Sequence, residues 1–372
     1  AAAILEQFKT GMDDGTARDL PMRSYAELVE GKLADKQGNL DQAIKIFAAV
    51  MDNKAYPGKI RDLGRLALAR AEIVREKNNP EQAEEETRAQ PQEEEAPHTA
   101  GTAEERLLAF IGGKSESSLL MDAFNILLEE DIFRTNPQAL EKLTGWVNAR
   151  DAGRQPAAMY AMGSLLLAKD DLAGAVKMAE DGLSKYPQSL PVQTLSLNTI
   201  TTLLDKNRVE DAERLISKYP GTSPGLVFQQ GALAFRKGDY PLAQSLFREA
   251  ARRASEKTAE SALFNENLAA LNANDAAGAA ALVKEAAGSA QLREHILFEQ
   301  AHYAAKRMNP QAPELLASFV ALATDPALKT QARLDQAEVA LNLNPPDLET
   351  VQAILPPLEK EQLTPEQTMQ LA

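Results

Sequence analysis

The sequence contains no cysteine, and it has only three histidines and one tryptophan in 372 residues. Without cysteine there is no disulfide framework, no thiolate zinc site, no iron–sulfur cluster and no cysteine nucleophile. Three histidines also leave little material for histidine-based acid–base catalysis. These absences exclude many enzyme classes, and we expect no catalytic residues, no metal ion and no cofactor.

Long apolar runs and a surplus of positive charge are also missing. No stretch approaches the roughly 18 to 20 consecutive apolar residues that a membrane-spanning helix needs, so we expect no membrane span in this chain. Forty Lys and Arg residues against 54 Asp and Glu residues give a net charge of −14. That charge repels nucleic-acid phosphates and anionic lipid head groups, so we expect no nucleic-acid partner.

The first residues, Ala1 to Leu5, include no Met and no basic segment followed by an apolar one. Small residues at this position are compatible with a cleaved export signal and equally with a boundary chosen for expression. Exported bacterial proteins often avoid stray thiols, and the absence of cysteine therefore favours export. We expect a periplasmic or otherwise exported protein, with the cytoplasm as the alternative.

Helix-forming residues dominate the composition, and few stretches alternate between polar and apolar residues. Turn-forming residues interrupt the chain at short intervals, which predicts helices of about 10 to 15 residues. The breaks fall at Gly38-Asn39, Asn78-Asn79-Pro80, Asn136-Pro137, Asp170-Asp171, Lys206-Asn207, Gly238-Asp239, Asn274-Asp275 and Asn344-Pro345-Pro346. The sequence thus predicts an all-α protein.

Two segments 200 residues apart carry the same pattern. The pattern is a first-helix glycine, a Gly-Asn or Gly-Asp turn, an alanine and an aromatic residue. The two copies are Gly31, Gly38-Asn39, Ala43, Phe47 and Gly231, Gly238-Asp239, Ala243, Phe247. A third copy has Gly163, Asp170-Asp171 and Ala175 and ends at Pro187, and weaker copies centre on Ala212 and Ala279. From Ala175 onward, the turn-following alanines are 37, 31 and 36 residues apart.

This pattern resembles the tetratricopeptide repeat family, whose period is about 34 residues. The resemblance implies an all-α solenoid of helical hairpins wound into a right-handed superhelix. Each first-helix glycine, at 31, 163 and 231, then lets the second helix of its own hairpin approach closely, and the turn residue tolerates positive φ. Residues 24–76 also resemble periplasmic members of this family that are tethered beside bacterial secretion machinery.

An acidic stretch interrupts the repeats. Residues 81–95 contain seven glutamates and one arginine. Low hydrophobicity and like-charge repulsion predict a flexible segment there. The expected organisation is an N-terminal set of hairpins over 1–90, an acidic Pro- and Glu-rich flexible linker over 91–117, and a C-terminal superhelical array over 118–372.

Two short motifs are weak candidates for chemistry. His295, Glu299 and His302 share one helical face and could in principle bind a metal ion, but their spacing is not that of the metalloprotease helix. We interpret the two histidines as surface or half-buried residues. Gly112-Gly113-Lys114-Ser115 is similar to the end of a phosphate-binding loop, but it lacks the first glycine and a preceding strand. We reject that site.

A solenoid of helical hairpins offers a concave groove lined by its first helices, and we expect function there. The predicted groove residues are Tyr160, Ser164, Leu197, Asn198, Thr201, Phe228, Phe264, Asn265 and Leu268. Lys and Arg, which grip a terminal carboxylate in some family members, are missing from these positions. Asn198 and Asn265 are predicted to hold a ligand backbone, while aromatic and aliphatic residues take its side chains. The alternative is that Tyr160, Phe228 and Phe264 are core residues.

Two functional classes remain open. The first is a non-enzymatic scaffold or adaptor that binds a peptide segment or protein subunit in its groove, as part of a bacterial envelope assembly. The second is a self-assembling structural repeat protein that forms a homo-oligomeric scaffold. The sequence leaves the oligomeric state undecided between them.

Overall fold

The structure, a computed structural model, describes residues 20–78, 101–113, 118–358 and 363–371. Within these ranges all regular structure is helical and no strand is present, which confirms the all-α prediction. In chain order the helices are α1 (Leu20–Lys36), α2 (Leu40–Asp52), α3 (Gly58–Asn78), α4 (Ala103–Gly113), α5 (Leu120–Glu129), α6 (Ile132–Thr135), α7 (Pro137–Asn148), α8 (Gln155–Ala168), α9 (Leu172–Lys185), α10 (Leu190–Asp205), α11 (Val209–Lys218), α12 (Pro224–Arg236), α13 (Tyr240–Arg253), α14 (Glu256–Asn272), α15 (Ala276–Glu285), α16 (Ala290–Lys306), α17 (Ala312–Leu322), α18 (Pro326–Asn342), α19 (Leu348–Leu358) and α20 (Pro365–Leu371). Among the described helices, none combines the length and the apolar character that crossing a membrane requires.

Six helix–turn–helix connections share one backbone geometry. In each, a residue with positive φ follows the first helix, and two hydrogen bonds of a Schellman motif close the turn. In one bond, the amide of the residue after the positive-φ residue donates to the carbonyl five positions earlier, at 2.7–2.9 Å. In the other, the amide of the positive-φ residue donates to the carbonyl three positions earlier, at 2.9–3.1 Å. The positive-φ residues are Gly38, Asp170, Asn207, Gly238, Asn274 and Met308. The chain therefore repeats in its backbone as well as in its sequence.

In five of the six turns, the residue after the positive-φ residue is the N-cap of the second helix, whereas after Met308 helix α17 begins only at Ala312. Asp239, for example, accepts a hydrogen bond from the Leu242 amide at 3.2 Å, which satisfies one of the free amides of the first turn. Asn39, Asp171 and Asp275 do the same in their hairpins. The alanines that follow the turns are all buried where the two helices cross, as predicted: Ala43, Ala175, Ala212, Ala243 and Ala279.

Two of the first-helix glycines have the predicted role. A Cβ atom on Gly231 would lie 2.9 Å from Cδ1 of Phe247 in the second helix of the same hairpin, and one on Gly31 would overlap the Phe47 ring. Gly163 differs, because its Cβ would meet Leu195 of α10, in the following hairpin. The prediction for Gly163 was therefore wrong about which helix approaches it.

Packing divides the chain into two compact units, of which the first ends at Thr199 and the second begins at Ile200. In the first unit, α1, α2 and α3 share a core around Leu28, Phe47 and Leu68. A larger core connects α3 with α4, α5, α6, α7 and α8. In the second unit, smaller clusters around Phe247, Ile296 and Leu316 connect each hairpin to the next. The right-handed winding of the array stays a prediction.

Helix α4 corrects the predicted linker. Its residues 103–113 were expected to be flexible, but Leu107 and Ile111 are fully buried against Ile73 of α3 and Phe124 of α5. Apolar residues four positions apart form one helical face, and the burial of that face explains why the segment is ordered. The acidic stretch 81–95 and residues 114–117 lie outside the described residues.

Candidate functional site

The first unit contains four of the predicted groove residues, and the structure buries one of them. Tyr160 of α8 is only 9% exposed, and its hydroxyl donates a 2.8 Å hydrogen bond to Asn125 Oδ1 of α5. Burial raises the pKa of the Tyr160 phenol. Tyr160 is thus a structural residue, which contradicts its predicted place in an open groove. Ser164 and Leu197 are half-buried, and Asn198 is exposed.

The first unit also has a cavity of about 700 Å³, which no sequence motif indicated. Leu120 and Met121 at the start of α5, Pro156 in α8, and Tyr186 and Leu190 between α9 and α10 line it. This volume is typical of ligand pockets, and the lining is mainly apolar. None of the predicted groove residues contributes to it.

In the second unit, side-chain contacts join neighbouring first helices and mark a shared surface. We call it the first-helix face and define it by side chains that connect neighbouring first helices. Gln229 Nε2 of α12 donates to Thr201 Oγ1 of α10 at 2.8 Å. Phe264 of α14 lies edge-on to His295 of α16, with 6.5 Å between the ring centroids.

The predicted residues on this face have different roles. Phe228 is half-buried and packs edge-on against Phe247, with 5.3 Å between the centroids, so it serves the core of its own hairpin. Phe264 is half-buried and packs against the cluster around Ile296. Asn265 uses one amide hydrogen within its own helix, donating to the Ser261 carbonyl at 2.8 Å. Leu268 is half-buried on the same helix. Phe264, Asn265 and Leu268 are all half-buried on one side of α14, and they form the centre of the face.

Residues of α16 and α18 extend the face beyond the predicted set. His302 Nδ1 donates a 2.6 Å hydrogen bond to Asp335 Oδ2, and Lys306 lies 3.3 Å from Glu338. The hydrogen bond to Asp335 is the main reason that the pKa of His302 is raised. Desolvation raises the pKa of the nearby Glu299 carboxyl. His302 stands six residues before Met308, as Leu268 stands six residues before Asn274, so the repeat pattern indicated His302 as a residue of the face.

His302 is therefore held by a protein carboxylate. Within the described ranges, no group of three or more His, Asp and Glu side chains is arranged to hold a metal ion. The interpretation of the two histidines, His295 and His302, as surface or half-buried residues agrees with their positions, since both are partly exposed.

Helix α14 also carries a buried polar pair beneath the face. Glu266 is fully buried, and its Oε1 accepts hydrogen bonds from Arg248 Nε at 2.8 Å and Nη2 at 2.6 Å. Asn267 is fully buried and accepts from Gln300 Nε2 at 2.9 Å. Desolvation raises the pKa of Glu266. These contacts connect α14 to α13 on one side and to α16 on the other.

The comparisons with known proteins do not assign the chain to a family. No family model matches the chain, and no curated protein matches it. A crystal structure of the P58(IPK) TPR domain is similar over 94% of this chain and 96% of that chain, at 13% identity and a TM-score of 0.24. A TM-score of 0.24 is too low to transfer a fold, so the repeat is established by this chain's own Schellman turns, buried alanines and Gly–Phe crossings. The chain is built of helical hairpins that repeat, and they resemble tetratricopeptide repeats in their turns and crossings. The first-helix face of the second unit is the candidate functional site.

Proposed function

We propose that this TPR-like protein is a non-enzymatic interaction scaffold that binds a peptide segment of a protein partner on the first-helix face of its second unit. The observation that carries the proposal is the centre of that face, where Phe264, Asn265 and Leu268 combine apolar surface with an amide group. Stacked hairpins use surfaces of this kind to bind extended segments. The net charge of −14 supports a protein partner over nucleic acid.

Phe228 is not a suitable position for testing the face. Because Phe228 packs against Phe247, truncating it would disturb the hairpin core as well as any partner contact. Leu268→Arg instead places a charge on the face, whereas Leu242→Arg places the same charge on the second helix α13, where Leu242 is 48% exposed. The two variants are matched in chemistry and differ in location.

The measurement is affinity capture from the native source with the wild-type chain and both variants, quantified by mass spectrometry. Partners of the first-helix face should be captured by the wild type and by Leu242→Arg, but lost with Leu268→Arg. Loss of a buried contact of about 2 kcal/mol weakens binding ~30-fold. If all three chains capture the same proteins equally, the first-helix face is not the binding site.

Export to a bacterial cell envelope is part of the proposal, and the absence of cysteine supports it. Fractionation of the source cells tests this part independently. Recovery of the protein with cytoplasmic markers would contradict it without affecting the proposed binding face.

Homo-oligomeric assembly is the alternative function. Leu190, Leu322 and Leu348 are large apolar residues that are more than half exposed, and exposed apolar surface is where copies of a chain associate. Light scattering distinguishes the two functions, since a scaffold for other proteins should remain monomeric as its concentration rises.

A further inference from the structure

The C-terminal helix α20 lies against the first-helix face through hydrogen bonds between side chains. Gln370 Nε2 donates to Glu338 Oε2 at 2.8 Å and to Asp335 Oδ1 at 3.2 Å. Gln370 Oε1 accepts from Gln331 Nε2 at 2.9 Å, and Gln367 Nε2 donates to Gln331 Oε1 at 3.2 Å. Two glutamines three positions apart in α20 thus contact three residues of α18.

The three residues of α18 form a strip along one side of the helix. Gln331, Asp335 and Glu338 are four and three positions apart, the spacing of neighbours on one helical face. Asp335 is fully buried, and His302 holds its second oxygen, while Lys306 pairs with Glu338. The contacts with His302 and Lys306 come from α16, so they orient the two carboxylates without help from α20. We call Gln331, Asp335 and Glu338 the amide-binding strip.

Helix α20 is stabilised by polar contacts, both within the helix and with the strip. Thr364 and Gln367 form a capping box, in which Thr364 Oγ1 accepts from the Gln367 amide at 3.2 Å and Gln367 Oε1 accepts from the Thr364 amide at 3.0 Å. Residues 363–370 include no buried side chain, and Met369 is 80% exposed. A helix of seven residues is marginal by itself in water. Among residues 363–370, the hydrogen bonds to the strip are therefore the main contacts that an incoming helix would have to replace.

We propose that the amide-binding strip is a recognition site for a short helix of a protein partner that carries glutamines at positions i and i+3, and that α20 occupies it as the chain's own competing ligand. The template for the partner is α20 itself, because Gln367 and Gln370 show which groups the strip accepts. This inference rests on the proposed function, since it names the partner chemistry for one end of the first-helix face.

The test uses the full chain and a fluorescent peptide with the sequence of residues 363–372. Gln367→Ala and Gln370→Ala together remove the contacts of α20 and leave the strip intact. If α20 covers the strip about nine-tenths of the time, the double variant should bind the peptide about tenfold more tightly than the wild type. A peptide with both glutamines replaced by alanine is the matched control and should not bind. Glu338→Gln in the double variant should weaken binding of the unmodified peptide, because it replaces the carboxylate acceptor of Gln370.

Three results would overturn the proposal. The first is equal peptide binding by the wild type and the double variant. The second is absence of binding to both, with circular dichroism showing that both are folded. The third is a wild-type dimer that the free peptide dissociates, which would assign the strip to α20 of a second copy. These three results concern only peptide binding at the strip. The proposed function is tested separately, by partner capture with the Leu268→Arg variant. Failure of one proposal can therefore be distinguished from failure of the other.

Discussion

Substitution of Gly231 by alanine tests the packing of the hairpin repeat. The new Cβ atom would lie 2.9 Å from Phe247 Cδ1 and 3.0 Å from Cε1, closer than carbon atoms pack. The Phe247 ring is fully buried and Phe228 packs against it, so it has little room to move. Overpacking of this kind costs about 1–3 kcal/mol. Replacing a helical glycine by alanine returns up to about 1 kcal/mol of helix propensity. The net expectation is a loss of about 0–3 kcal/mol in the free energy of unfolding.

The matched control is Gly145→Ala in α7. Gly145 is exposed, and no atom lies within 4 Å of where its Cβ would be. This substitution should therefore show the helix propensity alone, a gain of up to about 1 kcal/mol. The two variants carry the same chemical change and should differ by about 1–3 kcal/mol.

Urea unfolding followed by circular dichroism measures both variants, with the midpoint as readout when the slope is unchanged. Adding Phe247→Leu to Gly231→Ala makes room for the methyl group, so the double-mutant cycle should show a favourable coupling of at least about 0.5 kcal/mol. If Gly231→Ala stabilises the protein as much as Gly145→Ala does, the glycine is not at a helix crossing and the repeat register is wrong.

Three further predictions follow from single contacts. Asp239→Ala removes the acceptor for the Leu242 amide and should cost about 1 kcal/mol in urea unfolding, whereas a loss below about 0.3 kcal/mol would mean that the cap contributes little. Ala243→Leu adds a larger side chain at a fully buried crossing and should cost about 1–3 kcal/mol; an unchanged melting temperature would contradict the assigned crossing. The pKa of His302 is raised above about 6.5, so its bond to Asp335 stabilises the fold fully below that pH and less as the pH rises through the raised pKa. The melting temperature of the wild type should therefore fall relative to His302→Gln when the pH increases from about 6 to 8, and parallel pH profiles would show that the bond contributes no pH dependence.

The sequence predicted the hairpins well because each one depends on local chemistry. A turn that needs positive φ selects Gly, Asn or Asp, and a tight crossing selects alanine, so Gly38, Asp170 and Ala243 could be identified without a structure. Helix α4 was missed because the acidic stretch before it dominated the composition. Leu107 and Ile111 nevertheless carried the helical spacing that shows a buried face.

The partner of Gly163 could also have been inferred. Sixteen residues after Gly31 and Gly231 stands a phenylalanine, but sixteen residues after Gly163 stands Ala179. Alanine is too small to fill the space, and Leu195 from the next hairpin fills it instead.

The side chains of the candidate site were harder to predict because their burial depends on neighbouring helices. Repeat position alone placed Tyr160 on an open surface, but its hydroxyl reaches Asn125 of α5, a helix outside the recognised repeats. The contacts of α20 with α18 join residues more than 30 positions apart in sequence, and no local pattern indicates them.

The most direct test of the account is photo-crosslinking in the source cells, with a photoreactive amino acid at Asn265 in one chain and at Leu242 in another. Asn265 lies at the centre of the first-helix face, whereas Leu242 is exposed on the second helix of the preceding hairpin. We expect a crosslinked protein partner from position 265 and no adduct of the same mass from position 242. The same adduct from both positions, or an adduct from 242 alone, would contradict the assignment of function to this face.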